Sequence, residues 1–324
     1  MLRILVRMAI ATIAVFALQA GAQDTWPSRP VKLVVPFPAS GPLDVMARLI
    51  GQKLGENLGR PMVIENIAGA TGSIGANAVA RAAPDGYTIL LTVDLPLVMF
   101  PAVADKLPYD PRADFRPVAS LATGENGLFV NAALGAATVA ELVAIAKAQP
   151  GKLAFSSAGI GSPAHFAGEL FKRAAGVEMT HVPYKGAAPA MSAALSGEVG
   201  LMFGPITQGM PHVKSGKLRV LAVTGAVPSP LLPSVKPLIE QGFPGLIVSN
   251  RYPVMLPART PDAVASAVTA AFKAVMDDAA IRGRLEAIGI TPSWENAAEL
   301  ARAIDADLKR WSELARIAGI TAPR

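Results

Sequence analysis

Short apolar runs recur along the chain, and the segments between them carry apolar positions three to four residues apart. Leu33–Pro38, Met62–Ile67, Thr88–Val93, Leu153–Ser157, Met179–Tyr184, Gly200–Gly204 and Leu218–Thr224 are rich in Val, Ile, Leu and Phe without strict alternation. Such runs read as strands buried on both faces, as in parallel sheets covered by helices. Leu43–Leu58 reads as a helix stopped by Gly59. Thr138 and Glu141 form a T-x-x-E capping box, and Pro150-Gly151 ends the helix that follows. Thr260-Pro261 predicts a cap followed by proline at the first helical position. Asn296–Ala318 places Leu300, Ile304, Leu308, Trp311 and Leu314 on one face, with Gly319 as the stop. The strand–helix alternation predicts an α/β architecture.

Two extended stretches interrupt the alternation. Pro117–Asn131 leads from one α/β unit to the next, and Leu246–Pro257 leads back towards the C-terminal helices. Two crossings predict a discontinuous first domain of residues 23–122 and 253–324, and a second of residues 123–252, with a cleft between them as the natural ligand site. Residues 1–22 have a different character. Arg3 and Arg7 precede the uncharged apolar run Met8–Leu18, and Ala20-Gly21-Ala22 fits a small-x-small cleavage rule. This predicts an export signal cut after Ala22, leaving 302 residues and lowering the formal charge from +6 to +4.

Glycine falls in a repeated position. Four predicted strands run into Ala39-Ser40-Gly41-Pro42-Leu43-Asp44, Ala68-Gly69-Ala70-Thr71-Gly72-Ser73-Ile74-Gly75, Ala158-Gly159-Ile160-Gly161-Ser162-Pro163-Ala164-His165 and Lys185-Gly186-Ala187-Ala188, and each then enters a helix. At such a junction the first backbone N–H groups lack helical partners and the helix dipole is positive. Glycine admits a ligand close to the backbone, so the junctions suit a carboxylate, phosphate or sulfate. Tight-turn geometry alone also accounts for glycine in any one of them. None is a nucleotide fingerprint: G-x-x-x-x-G-K-[ST] is absent, and Gly159-x-Gly161 lacks a third glycine.

Composition narrows the chemistry. A 52% hydrophobic share excludes a disordered chain, and the absence of cysteine excludes disulfides, thiolate metal sites and a cysteine nucleophile. Three histidines far apart predict no metal site, and no cofactor is expected. Scattered basic residues and a 6% aromatic share give no nucleic-acid surface. Catalysis finds little support: no G-x-S-x-G elbow exists, and Ser73 reads as a helix start. His165 and His181 read as packing or hydrogen-bonding residues, and Asp277-Asp278 as a helix cap.

Several motifs in combination resemble the Bug family, the periplasmic solute-binding proteins of tripartite tricarboxylate transporters. They are Val34-Val35-Pro36-Phe37-Pro38 with Asp44, Glu65-Asn66 with Gly69-Ala70, Ala83-Pro84-Asp85-Gly86-Tyr87-Thr88, Leu107-Pro108-Tyr109-Asp110-Pro111, His181-Val182-Pro183-Tyr184-Lys185-Gly186 and Gly216-Lys217-Leu218-Arg219. The resemblance covers the whole chain from Trp26-Pro27 onwards. It implies a two-domain, type II, Venus-flytrap fold, a monomer that captures a small carboxylate, and partnership with the large and small permease subunits of such a transporter. A ligand-presenting sensor for a membrane histidine kinase is the alternative role, and a secreted hydrolase a remote one.

The resemblance places candidate ligand contacts at Phe37, Ser40, Gly41, Leu43 and Asp44; at Ala70, Thr71 and Gly72; at Ser157, Ile160, Gly161, Ser162 and His165; and at Tyr184, Gly204 and Arg251. The chain departs from the family pattern at several of these. Pro42-Leu43 stands in a loop that is usually glycine-rich, and Ile160 and Pro163-Ala164 stand in a loop usually richer in hydroxyls. Gly204 stands where many members carry an acid, which argues against an amino-acid ligand. Leu43, Ile160 and Gly204 together predict a preference for an apolar acid over citrate. Arg251, at a position often aromatic, is a candidate for gripping a second carboxylate, with a solvated hinge role as the alternative.

Overall fold

The computed structural model describes residues 26–321, so the export signal and its cleavage site lie outside the described residues. In the first sheet, β1 (Val31–Val35) lies between β2 (Met62–Asn66) and β3 (Thr88–Leu91), parallel to both. Next to β3 comes β9 (Ser249–Pro257), antiparallel, and then β4 (Phe115–Asn131), whose far edge takes β10 (Thr291–Asn296). The 17-residue β4 does not end with that sheet. Its last residues pair antiparallel with β7 (Leu201–Pro205) on one side and β8 (Leu218–Val223) on the other. Beyond β7, β5 (Ala154–Ser157) and β6 (Thr180–Pro183) run parallel.

The sheets are therefore mixed rather than parallel throughout. β8 is as apolar as its neighbours, yet it pairs antiparallel with β4. Apolar content reports burial and not strand direction. β2 and β6 are edge strands of half-exposed residues rather than strands buried on both faces. β10 lacked any apolar run; it exists because β4 offers it an edge.

The first helices sit where the apolar spacing puts them. α1 (Pro42–Leu58) buries Leu43, Met46, Ile50 and Leu54 and stops at Gly59, whose φ is 63°. α2 (Ser73–Ala80), α3 (Val139–Ala148), α4 (Pro163–Ala175), α5 (Ala187–Ser196) and α6 (Ile206–Lys214) follow their strands. The Thr138 hydroxyl accepts from the Glu141 N–H as expected, while the Glu141 carboxylate reaches back to the Ala137 N–H. The Thr260 cap is not formed. Its hydroxyl donates to the Pro257 carbonyl, and α7 (Asp262–Met276) starts one residue later than predicted, after Pro261. Asp278 caps α8 (Ala279–Ala287), accepting from the Ala280 and Ile281 N–H groups. α9 (Ala297–Ala318) has a full capping box between Asn296 and Glu299. Its buried face includes Trp311, which packs on Phe166 of α4 with ring centroids 4.9 Å apart. The C-terminal helix thus ties the two sheets together.

Candidate functional site

A cavity of about 1220 Å³ opens between the two sheets, with the crossing strands β4 and β9 at its floor. All four glycine-bearing junctions reach its wall: 36–44 from β1 to α1, 68–72 from β2 to α2, 158–163 from β5 to α4, and 183–189 from β6 to α5. α1, α2 and α5 are capped by Gly41, Gly72 and Gly186, with no side chain hydrogen-bonding to the helix start. Where serine or aspartate would consume an N–H donor, glycine leaves it available. Helix geometry leaves the N–H groups of Leu43 and Asp44 in α1, and of Ala187 and Ala188 in α5, without intrahelical partners. Proline at the first position of α1 costs no helical hydrogen bond but removes one possible donor to a ligand.

The first junction is shaped by Asp44. Its buried carboxylate accepts from the Ser40 N–H at 2.9 Å, from Arg48 Nε at 2.9 Å and from Asn66 Nδ2 at 3.0 Å. Asn66 Nδ2 also donates to the Phe37 carbonyl at 3.1 Å, which joins the first junction to the end of β2. Burial pushes the Asp44 pKa up, but the donors from Arg48, Ser40 and Asn66 outweigh it, and the carboxyl ends below its ordinary value. Asp44 is therefore ionised and neutralised by Arg48, and it holds Ser40 at a φ of 67°.

The second junction winds through four consecutive left-handed residues, with φ values of 129°, 44°, 59° and 91° at Gly69, Ala70, Thr71 and Gly72. Left-handed backbone is unfavourable for Ala and more so for β-branched Thr, so local strain accompanies this wall of the cavity. Space at Gly72 is tight as well: a Cβ there would lie 3.1 Å from Phe37 Cζ.

The third junction rests on two stacked histidines. His165 and His181 lie 3.7 Å apart between ring centroids, and His181 stacks in turn on Phe155 at 4.9 Å. His165 Nδ1 accepts from the Gly161 N–H at 3.2 Å. His181 Nε2 meets Ser157 Oγ at 2.6 Å, and Ser157 Oγ is also 3.0 Å from the Gly159 carbonyl. When the serine donates its proton to that carbonyl, His181 Nε2 is the donor to Ser157. Burial above all holds His165 down to about 3 and His181 to about 4. Ser157 is fully buried and His181 is sandwiched between two rings, so the pair positions the 158–163 loop.

Of the sequence candidates, Phe37, Gly41, Leu43, Asp44, Thr71, Gly72, Ile160, Ser162 and Tyr184 line the cavity. Tyr184 also donates its hydroxyl to Glu198 at 2.6 Å. Ser40, Ala70, Ser157, Gly161 and His165 lie outside the lining and shape the loops from behind. Gly204 faces away from the cavity; a Cβ on it would meet Met202 and Met191 in the core beneath α5. An acid at that position would not reach a ligand, so its absence says nothing about ligand class.

Arg251 is likewise outside the lining. Its guanidinium binds Glu295 at 3.0 Å and Asp307, and its N–H donates to Asp94 at 2.8 Å. With three carboxyl groups around it, the guanidinium is already engaged inside the fold and does not reach the cavity lining. Burial raises Asp94 to about 7, with Arg251 opposing the rise. Neither the solvated hinge nor the ligand grip describes Arg251; it is a half-buried clamp joining β9, β10 and α9.

Sequence reading missed the floor and the apolar rim. Val93, Leu95, Phe100 and Tyr252 line the cavity, as do Glu125, Asn126, Gln208 and Asn250. These side chains sit on segments far apart in sequence, and no local pattern marks them. Among the described residues no group of three His, Asp or Glu side chains could hold a metal. The site offers backbone N–H groups, apolar walls and a polar floor, which is equipment for binding.

Known proteins fit this geometry. The family model "Tripartite tricarboxylate transporter family receptor" matches residues 46–320. Protein BugT of Bordetella pertussis is 33% identical over 316 residues, covering 96% of this chain and 97% of that protein. The solved structure of Rpa4515 from R. palustris with adipate superposes with a TM-score of 0.83 at 34% identity, over 91% of this chain and 99% of that one. MatC from Rhodopseudomonas palustris with bound malate gives a TM-score of 0.77 at 30% identity, over 89% and 99%.

Proposed function

The chain belongs to the receptor family of the tripartite tricarboxylate transporters, and from that membership we propose that it is a periplasmic receptor which captures a small organic acid and delivers it to the permease of such a transporter. The observation that carries the reading is the convergence of four strand–helix junctions on one cavity, three of them capped by glycine alone. Their N–H groups and positive dipole ends hold the ligand carboxylate. Leu43, Ile160 and Phe100 face the ligand's skeleton and favour an apolar acid over citrate. Relatives of similar structure carry adipate and malate, both carboxylates.

Residues 23–122 with 253–324 form one domain and residues 123–252 the other, and they close on the ligand about β4 and β9. The protein is exported with cleavage after Ala22, acts as a monomer, and binds and releases its ligand without chemistry. A thermal-shift screen of the exported protein against mono-, di- and tricarboxylates tests the reading. A ligand at 100 times its Kd is expected to add ~2.7 kcal/mol of stability. Shifts from neutral or cationic solutes alone would overturn it.

A further inference from the structure

The floor of the cavity carries polar atoms that the fold itself does not use. Glu125 is 9% exposed, and its Oε2 is buried with no hydrogen-bond partner among the described residues. The same holds for Asn126 Nδ2, Gln208 Oε1 and Asn250 Oδ1, and all four residues belong to the cavity lining. Buried polar groups without partners are costly, and their clustering at a ligand cavity points to partners that arrive with the ligand.

The three amides can each present an oxygen or a nitrogen and so select nothing by charge. Glu125 does select. Burial raises its pKa, which marks how poorly its surroundings in the fold support the carboxylate. The charged side chains of the cavity wall are Asp44, Glu125 and Lys185. Asp44 is already paired with Arg48, and Lys185 belongs to the fourth junction and forms no ion pair with Glu125. A second ligand anion at the floor would be buried beside Glu125 with no cation to meet it. A cation there would find a carboxylate and amide oxygens.

We infer that Glu125 is the specificity-determining residue for a ligand ammonium group: the ligand is an amino-bearing carboxylic acid, its carboxylate at the helix starts and its ammonium at Glu125, Asn126, Asn250 and Gln208. The inference rests on the receptor reading above and sharpens it. It also reverses the expectation drawn from Gly204, because the acid that matters is on β4 and not at the end of β7.

Calorimetric titration of the exported protein with matched pairs tests it. Glutamate against glutarate, 4-aminobutanoate against butanoate, and 6-aminohexanoate against hexanoate differ only by the ammonium group. In at least one pair the amino acid is expected to bind 10-fold or more tightly than its partner. Glu125→Gln, which keeps size and hydrogen bonding but removes the charge, is expected to abolish that preference, the amino acid then binding no more tightly than its amine-free partner. Amine-free acids binding as tightly as their partners in every pair, or a preference that survives Glu125→Gln, would overturn the inference and leave the receptor reading standing. Binding by none of the six acids would overturn the inference, and the receptor reading would then be decided by the wider carboxylate screen. The wild-type comparison decides the matter even if the variant does not fold.

Discussion

The imidazole rings of His165 and His181 lie face to face, 3.7 Å between centroids and 11° between planes, beneath the loop that forms one wall of the cavity. Burial first, and for His165 the neighbouring ring second, keeps them neutral, at about 3 and about 4. In the unfolded chain both return to about 6.5. Between those values the unfolded chain binds more protons, so this contribution is complete above pH 6.5 and is lost as the pH falls towards 4. Each ring is expected to cost up to about 2 kcal/mol between pH 6.5 and 5. Urea denaturation at pH 7 and pH 5 should show a smaller loss for a His165→Gln/His181→Asn double variant. Equal losses would remove the rings as the cause.

Asp44 holds Ser40, Arg48 and Asn66 through separate hydrogen bonds. Asp44→Asn removes the charge from all of them and is expected to cost about 1–3 kcal/mol of stability. Ligand affinity should fall as well, because the Ser40–Gly41 turn loses its anchor. The two effects are separable by calorimetry well below the melting temperature. An unchanged Kd would mean that the first junction does not touch the ligand.

Ala70 occupies a left-handed conformation at φ 44°. Left-handed backbone costs an L-residue about 1–2 kcal/mol, and part of that is returned by the extra unfolded-state freedom of glycine. Ala70→Gly is therefore expected to raise stability by roughly 0.5–1 kcal/mol. A melting temperature that drops would show that the strain is relieved by contacts the backbone angles do not reveal.

Arg251→Ala would leave Asp94, Glu295 and Asp307 facing one another without a cation. Removing one partner of a fully buried ion pair costs about 3–5 kcal/mol, and this half-buried cluster is expected to lose about half of that. Arg251→Lys should recover only part of this, since an ammonium cannot fork between Glu295 and Asp307. Mono- and dicarboxylate affinities are expected to fall by the same factor. A selective loss for dicarboxylates would return Arg251 to the ligand site.

Much of the site's wall was legible in the chain, because its signals are local. A strand, a glycine and a helix start lie within about ten residues, and each junction from Phe37 to Asp44 or from Ala158 to His165 can be read from its own letters. The floor was not. Glu125 and Asn126 sit in a run of Gly, Glu and Asn that carries no periodicity, and their neighbours Gln208 and Asn250 are some eighty or more residues away. The same distance explains the misplacement of Arg251, whose backbone partner Asp94 is 157 residues off.

What the sequence by itself determined is the strand–helix alternation, the two crossings, the glycine at each junction and the family. These follow from backbone sterics, helix capping and hydrophobic periodicity, which act over a few residues. Only the tertiary structure decided which way β8 runs, that four junctions meet in one cavity, that Arg251 is enclosed by carboxylates and that Glu125 is left unpaired at the floor. Those depend on which distant segments share a volume from which water is excluded, and there the cost of an unmatched charge is set by whatever the fold brings beside it.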